Sequence, residues 1–208
     1  MARYVGRENV RKRLQPLGGG PGRTSYGGGS ARIETADETL TMTPPFGLEH
    51  VAEYDRVELG PLLEALARDR TVAAILVRRG GYAVGVFEGE RLVASKVGTR
   101  FVKGRHKKGG SSANRFRRRR EEQERELLDA ATATARAVLE PYRDRIEFLA
   151  LGGDRVAATQ VAEQLPWLTP KRVERFFDVP DPRQRVLERL PYDLYAAELS
   201  VEPAPPAS

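Results

Sequence analysis

Three apolar runs follow one another in TVAAILVRRGGYAVGVFEGERLVASKV (residues 71–97) and decide the fold. The first, Thr71–Val77, has the length and apolar content of a buried strand, and a glycine pair ends it. Tyr82–Phe87 is a second predicted strand and Leu92–Val102 a third, with a turn at Glu88-Gly89-Glu90 between them. Short turns between such runs favour antiparallel pairing, so we predict a three-stranded meander.

Helical and strand patterns alternate in the second half of the chain. Apolar residues at Phe116, Leu127, Ala131 and Val138 share one face of a helix that runs to Leu139, where Pro141 prevents its continuation. Further on, we predict strands at Ile146–Leu151 and Val173–Val179, and helices at Arg155–Gln164 and Arg183–Leu190. A meander followed by alternating helices and strands predicts an α/β domain with a mixed sheet.

Four segments are predicted along the chain. Residues 1–35 carry two glycine clusters and are predicted to be a flexible arm. Residues 36–70, with a short strand near Leu40–Pro45 and a helix around Leu62, are predicted to be a short extension that packs on the core. The folded domain is predicted at residues 71–200, and the proline-rich residues 201–208 are predicted to be a disordered tail.

Two glycine motifs resemble anion-binding turns, and we assign neither to ligand binding. In Gly18–Thr24 the spacing is one residue short of a phosphate loop, Arg23 stands where lysine belongs, and no apolar strand precedes it. Gly152-Gly153-Asp154 connects a predicted strand to a predicted helix, where glycine is needed for geometry alone. We therefore interpret the second motif as a structural turn.

The composition excludes several kinds of active site. The 208-residue chain contains no cysteine, which excludes disulfides, thiolate nucleophiles and cysteine-built zinc sites. His50 and His106 are its only imidazoles, far apart in sequence, so we predict neither a metal site nor an organic cofactor. Because no run approaches 18 apolar residues and the N-terminus lacks a signal-peptide hydrophobic region, we expect a cytoplasmic monomer with no membrane contact.

The positive charge of the chain is concentrated in one segment. Ten lysines and arginines lie between Arg100 and Arg120, with no acidic residue among them. The rest of the chain has 25 cations against 29 carboxylates, so the net charge of +6 comes from this segment. Such concentration is expected of a nucleic-acid-binding surface.

The run Arg117–Arg120 lies near the start of the predicted long helix. The helix dipole places positive charge at that end, where cations destabilise, and the arginines precede Glu121 and Glu122 in the less favourable order for i,i+4 pairing. A bound phosphate would offset both unfavourable effects, because backbone amides and guanidinium groups would converge on it. We therefore favour RNA binding over the alternative, a solvated helix face.

The run Arg105–Phe116 (RHKKGGSSANRF) resembles the catalytic loop of archaeal and eukaryotic class-I translation release factors. In that family a basic stretch leads to Gly-Gly-Gln, Ser-Ala, a variable residue and Arg-Phe, and a long helix follows. The strands before the loop and the strand-turn Leu149–Asp154 are also similar to that family's middle domain, over about Thr71–Ser200. The resemblance implies a release-factor middle-domain-like (RNase H-like) fold, and it extends to the Vms-like stalled-ribosome release factors (VLRF group), which use this domain without a stop-codon-reading domain.

The resemblance implies a peptidyl-tRNA hydrolase of ribosome rescue that acts on stalled large ribosomal subunits. Its catalytic residues would be Gly109 and Gly110, which shape the loop, Ser111, which presents a main-chain donor, and Ser112, which together with Asn114 would start the helix or position water. The partners would be the large ribosomal subunit, ribosomal RNA and peptidyl-tRNA. The residues expected to contact RNA are Arg105, His106, Lys107, Lys108, Asn114, Arg115, Arg117, Arg118, Arg119 and Arg120.

One residue departs from the family pattern. Ser111 aligns with the glutamine of Gly-Gly-Gln, whose backbone N–H faces the developing oxyanion and whose side chain helps to admit water. Serine keeps the N–H, and one such donor can be worth about 3 kcal/mol. Activity is then retained with less selectivity, depends on another residue such as Gln123, or is lost. The alternative functions are a non-catalytic ribosome- or tRNA-binding module and a tRNA-end nuclease, for which no acid/base pair is visible.

Overall fold

The computed structural model describes residues 3–99 and 112–204, and of residues 112–116 it describes the backbone alone. The chain forms two compact units, the first from Met1–Arg68 with Tyr192–Ser208 and the second from Asp69–Pro191. The strands are β1 (Arg3–Val5), β2 (Arg23–Gly27), β3 (Ser30–Glu34), β4 (Glu38–Thr43), β5 (Ala52–Tyr54), β6 (Thr71–Arg78), β7 (Gly81–Glu88), β8 (Arg91–Thr99), β9 (Phe148–Gly153), β10 (Arg172–Phe177) and β11 (Ala197–Pro203). The α-helices are α1 (Arg7–Leu14), α2 (Gly60–Ala67), α3 (Ser112–Leu139), α4 (Arg155–Glu163) and α5 (Gln184–Leu194), and 3-10 turns lie at Gln15–Leu17, Glu140–Tyr142 and Pro166–Lys171.

The first unit is a six-stranded antiparallel sheet in the order β1-β11-β4-β3-β2-β5. Its strands alternate buried apolar and exposed polar side chains, which is the pattern of a sheet with one face on a core. Ile33, Leu40 and Met42 from the sheet share this core with Leu14 of α1 and Leu62 of α2, and all five are fully buried.

The prediction of a flexible arm at residues 1–35 is wrong, because this segment contributes β1, α1, β2 and β3. The cluster Gly27-Gly28-Gly29 is part of a tight hairpin, in which Gly27 pairs with Ser30. Gly28 and Gly29 have φ values of 57° and 79°, and a two-residue hairpin turn of type I′ requires positive φ at both positions. The glycines therefore provide the geometry of a tight turn. The sequence analysis had interpreted the glycine cluster as a sign of flexibility.

Two other predicted segments are also corrected. Residues 36–70 contain the predicted strand, as β4, and the predicted helix, as α2, but these elements help to build the first unit's own core instead of forming a short extension. Strand β11 reaches Pro203, so residues 201–203 are not part of a disordered tail. The second unit, which holds most of the predicted domain of residues 71–200, ends by its contacts at Pro191, within α5.

The glycines near residue 20 do not form a phosphate loop, as the sequence indicated. The amide of Gly19 donates to the Val57 carbonyl at 2.9 Å, so it is occupied within the fold. A groove of about 340 Å³ beside it is lined by the carboxylate-bearing Glu58. Hydrogen bonds from Arg56 and from the Gly60 amide lower the pKa of Glu58, and Arg11 also lines the groove.

The second unit is a five-stranded mixed sheet in the order β10-β9-β6-β7-β8. The strands β6, β7 and β8 pair antiparallel in sequence, which confirms the predicted meander. Strand β9 then joins β6 in parallel, and β10 joins β9 in parallel. Parallel neighbours need crossover connections, which α3 and α4 supply, so the predicted α/β class is confirmed.

One face of this sheet and the helices α3 and α4 enclose a single apolar cluster. Leu127, Ala131, Ala135 and Leu139 lie four residues apart along α3, which places them on one helical face. They pack with Ile75 and other buried strand residues. This contact fixes the C-terminal half of α3 on the sheet.

The turn Gly152-Gly153-Asp154 has the structural role that the sequence indicated. Gly153 has a φ of 91°, and a Cβ added there would lie against the Val77 carbonyl, so only glycine fits. Asp154 then caps α4, because its carboxylate accepts from the Ala157 amide at 3.0 Å. The motif therefore ends β9 and caps the start of α4.

Candidate functional site

The predicted site residues divide into three groups. The first group lies outside the described residues and comprises Arg105, His106, Lys107, Lys108, Gly109, Gly110 and Ser111. The second, Ser112, Asn114 and Arg115, forms the first turn of α3, so the helix begins at the predicted Ser112. The third, Arg117–Arg120 and Gln123, has described side chains on α3.

Helix α3 extends well beyond the core of the second unit. Its direction follows from the topology: β8 ends at Thr99, α3 follows, and β9 starts at the opposite end of the sheet, where Phe148 pairs with Val72. None of the side chains of residues 117–126 is buried, and Leu127 is the first buried side chain of α3 among those described. From Ser112 to Leu127 the helix is about 22 Å long at 1.5 Å per residue. This projecting half carries the arginine run.

The arginine run is exposed and weakly paired. Arg117, Arg118 and Arg119 are exposed and Arg120 is half-buried. Arg117 Nε lies 3.8 Å from Glu121 Oε1, with both side chains more than half exposed, so this ion pair adds little stability. The first turn of α3 contains no acidic residue that would offset the positive end of the helix dipole. Because α3 begins at Ser112, the four arginines are its sixth to ninth residues, beyond the first turn in which the helix dipole acts, so the predicted unfavourable effect of the dipole on them does not apply. Four consecutive residues also point around the helix, and the positive charge here comes from the guanidinium groups themselves.

Gln123 lies on the same projecting half of α3. Its side chain is half-buried and already takes part in interactions within the fold. The residue lies 11 positions after Ser112, or about 16 Å along the helix axis. Its role in positioning water therefore stays a prediction.

Basic residues that the sequence analysis did not select lie at the sheet edge where β8 ends. Across the sheet, Arg78 pairs with Gly81 and Gly81 pairs with Thr99, so these residues lie along one edge. The next residue, Arg79, is exposed and forms no ion pair with a described residue. The signal for this end of the sheet was the pair Arg78-Arg79 directly before a glycine turn, and Arg78 is ion-paired there with Asp178 at 3.0 Å.

Formal charge separates the two units. The first unit has nine lysines and arginines against twelve aspartates and glutamates, a net charge of −3. The second has 26 against 17, a net charge of +9. The capacity to attract a polyanion therefore belongs to the second unit, which carries α3 and both ends of segment 100–111.

The described part of the chain contains no cluster of metal-ligating side chains, and none of its helices is long and apolar enough to cross a membrane.

Comparisons with known proteins agree with this architecture. The family model described as Actinobacteria/chloroflexi VLRF1 release factor matches residues 70–200. Peptide chain release factor subunit 1 of Archaeoglobus fulgidus is 31% identical over 123 residues, which cover 58% of this chain and 30% of that protein. The chain therefore spans less than a third of that curated relative.

Two solved structures are also similar to the chain. The archaeal translation termination factor aRF1 has a TM-score of 0.44 at 18% identity and covers 90% of this chain and 54% of its own. The Vms1 mitochondrial localization core has a TM-score of 0.44 at 12% identity and covers 95% of this chain and 82% of its own.

The matched residues include all of β6 to β10 and the whole of α3 with its basic start, and they define a domain of the release-factor class. More than half of the chain lies within the match. The protein belongs to the Actinobacteria/chloroflexi VLRF1 release factor family, which confirms the resemblance stated from the sequence.

Proposed function

We propose that this protein is a peptidyl-tRNA hydrolase of ribosome rescue, which cleaves the ester between peptide and tRNA on stalled large ribosomal subunits. The observation that carries the proposal is the projecting half of α3. Segment 100–111 lies in sequence between Thr99, the last residue of β8, and Ser112, the first residue of α3, and Ser112 lies about 22 Å along the helix from Leu127, the first buried side chain among those described. A loop tied to such a helix end suits a catalytic centre that lies deep within RNA.

In this proposal the reaction depends mainly on main-chain groups of the protein. Water attacks the ester carbonyl carbon, negative charge develops on the carbonyl oxygen, and the ester bond to the tRNA ribose breaks as the ribose oxygen takes up a proton. The main-chain N–H of Ser111 stabilises the oxyanion, and Gly109 and Gly110 give the loop its shape. Ser112 and Asn114 start the helix or position the water. One preorganised main-chain donor can contribute about 3 kcal/mol to such a step.

The cations of the same region hold the loop in place. Arg105, Lys107, Lys108, Arg115 and the run Arg117–Arg120 contact phosphates of ribosomal RNA and of the tRNA acceptor end, because guanidinium groups bind phosphate with charge-assisted hydrogen bonds. The net charge of +9 on the second unit supports this assignment. The protein works in the cytoplasm as a monomer bound to the large subunit.

The test is ester cleavage on isolated large subunits that carry labelled peptidyl-tRNA. Wild type is expected to release the peptide, and Gly110→Ala to bind the subunits but release peptide far more slowly, since a Cβ restricts the loop backbone. The melting temperature of Gly110→Ala is expected to stay within a few degrees of wild type. Equal losses of stability and activity would make Gly110 a structural turn residue.

A second candidate function follows from the departure at Ser111. If wild type binds large subunits with salt-sensitive affinity but releases no peptide, the protein is a non-catalytic binding module that uses the same basic surface. The variant Ser111→Gln, which restores the family residue, then tests whether the serine at this position accounts for the missing peptide release.

A further inference from the structure

The end of β8 packs directly beneath a tyrosine of β7. Gly98, the second-to-last residue of β8, pairs with Tyr82 across the sheet. A Cβ built on Gly98 would lie 2.5 Å from Tyr82 Oη and 2.8 Å from Tyr82 Cε1, far inside van der Waals contact. The ring and its hydroxyl therefore cover the backbone of Gly98, and only glycine permits this approach.

The same tyrosine is tied to α3. Thr134 Oγ1 donates a hydrogen bond to Tyr82 Oη at 3.1 Å, across 52 residues of sequence. Both residues are buried, with 8% of the surface of Tyr82 and 7% of that of Thr134 exposed. Removing either hydroxyl of a buried pair destabilises the folded protein, because the remaining hydroxyl loses its hydrogen bond and cannot reach water.

A second close approach reinforces the end of the β7–β8 hairpin. A Cβ on Gly81 would lie against the Gly98 carbonyl oxygen and 3.3 Å from Thr99 Cα. The last two residues of β8 are thus held by the backbone of Gly81 on one side and by Tyr82 on the other. We name Tyr82, Gly98 and Thr134 the stem clamp.

We propose that Tyr82 is a positioning residue for segment 100–111, through the stem clamp. The segment has two anchors, Thr99 on β8 and Ser112 on α3, and Tyr82 is in contact with both of these elements. The inference rests on the proposed function, since it assigns the clamp a part in presenting the catalytic loop.

The length of α3 makes this position sensitive. Thr134 lies 22 residues after Ser112 on an unbroken helix, or about 33 Å along its axis. Because buried residues hold α3 on both sides of Thr134, the free lever is the roughly 22 Å from Leu127 to Ser112, over which a rotation of about 5° moves Ser112 by about 2 Å. A misplacement of about 1 Å can reduce a catalytic rate roughly 100-fold. A small loosening at Tyr82 becomes a large error at the far end of α3.

The test uses the full-length protein with two isosteric variants, Tyr82→Phe and Thr134→Val, each of which removes one hydroxyl from the clamp. Thr134→Ser keeps the hydroxyl and is the rescue variant. Thr24→Val is the matched control, because Thr24 is also buried and its hydroxyl donates to the Arg56 carbonyl and accepts from the Glu58 amide, both at 3.1 Å, within the first unit.

The first measurement is amide hydrogen exchange of residues 95–99, which needs no activity. We expect Tyr82→Phe and Thr134→Val each to accelerate exchange there about fivefold, the factor that corresponds to one net hydrogen bond. The second measurement is peptide release from large subunits. We expect kcat to fall at least about tenfold in both variants, with KM within about twofold of wild type, and the double variant to be no worse than either single one.

Thr134→Ser and Thr24→Val are expected to keep the wild-type kcat. The inference is overturned if exchange at residues 95–99 is unchanged, if exchange rises while kcat does not fall, or if Thr24→Val lowers kcat as much as Tyr82→Phe does. If wild type itself releases no peptide, the proposed function is wrong and the positioning role falls with it. Activity in wild type together with unchanged kcat in the variants would remove only the positioning role.

Discussion

Val201 pairs with Leu40 in antiparallel register, which places the C-terminal strand β11 beside β4 as an internal strand of the first unit's sheet. On its other side β11 pairs with β1, so the strand carries two ladders. A compact unit is therefore assembled from both ends of the chain, with the whole second unit inserted between them in sequence.

Removal of residues 197–208 is expected to unfold the first unit, because the sheet loses an internal strand and the core loses Ala197 and Leu199. The second unit is expected to stay folded. Trp167 is the chain's only tryptophan and lies in the second unit, so its fluorescence reports that unit alone, while amide exchange of β2–β4 reports the first. As a control, removal of residues 205–208 should change neither signal; a first unit that survives loss of β11 would contradict the strand's structural role.

Replacing Gly153 by alanine is expected to destabilise the second unit by at least about 2 kcal/mol. A left-handed φ at a residue other than glycine costs of order 1–3 kcal/mol, and here a Cβ also meets the Val77 carbonyl. Gly47→Ala separates the two causes, because Gly47 has a φ of 86° with nothing within 4 Å of an added Cβ. We expect Gly47→Ala to cost about 1 kcal/mol. Urea unfolding of each unit measures both changes, and equal losses would rule out the steric part.

Substitutions at Ser111 distinguish its main chain from its side chain. We expect Ser111→Ala to keep most of the hydrolytic rate, because the amide survives, and Ser111→Pro to abolish it, because proline has no N–H. Ser111→Gln is expected to keep or raise the rate and to favour water over amines such as hydroxylamine. The assay is peptide release from large subunits, with subunit affinity measured in parallel. Loss of release in Ser111→Ala with unchanged affinity would mean that the hydroxyl takes part.

Affinity for large subunits is expected to fall steeply with salt. Each phosphate that the protein neutralises adds about 0.7–0.9 to the log–log slope, so replacing Arg117–Arg120 with alanine should flatten the slope by roughly two to four. Arg183, Arg185 and Arg189, exposed residues in or beside α5, provide a control set. We expect their replacement to leave the slope nearly unchanged. If the slope flattens equally in both variants, the arginine run acts through the net charge of the protein and not through specific phosphate contacts.

Stability of the first unit is expected to depend on pH through Tyr26. Burial raises the pKa of Tyr26 to about 12, from an ordinary value of 10.0, and its hydroxyl donates to the Glu58 carbonyl at 2.6 Å. Because the folded state holds this proton more tightly, its stabilising effect is complete below about pH 10 and is lost as pH rises through about 12.

The matched variant is Tyr26→Phe. At pH 9 we expect it to be less stable than wild type by about 1 kcal/mol, the net value of one hydrogen bond. The difference should shrink between pH 10 and 12, as measured by urea unfolding of the first unit at each pH. A constant difference across that range would show that Tyr26 ionises equally in both states.

The second unit could be predicted closely from sequence. The strands β6, β7 and β9 are continuous apolar runs bounded by glycine or charged residues, and α3 has a four-residue apolar repeat that ends before Pro141. These signals are local, and short turns fix which strands of the meander pair. The site's basic cluster and glycine pair were equally visible, because charge and backbone freedom belong to the residues themselves.

The first unit could not be predicted in this way. The alternation of Thr24, Tyr26, Ala31 and Ile33 is interrupted by glycines, which give no sign in the sequence of whether they serve a flexible arm or a tight hairpin. Strand β11 runs into prolines, and its partner β4 lies about 160 residues earlier. Pairing at such separation depends on burial against α1 and α2, which no local pattern contains.

The sequence by itself determined the mixed sheet, the long helix, the concentration of cations before and at its start, and the family motif with serine in place of glutamine. Only the tertiary structure decided that half of α3 projects beyond the core, that the termini join in one sheet, and that Tyr82 contacts both Gly98 and Thr134. The physical reason is the range of the interactions. Propensity, charge and turn geometry act between neighbours in sequence, whereas burial and close packing depend on which distant segments share a core.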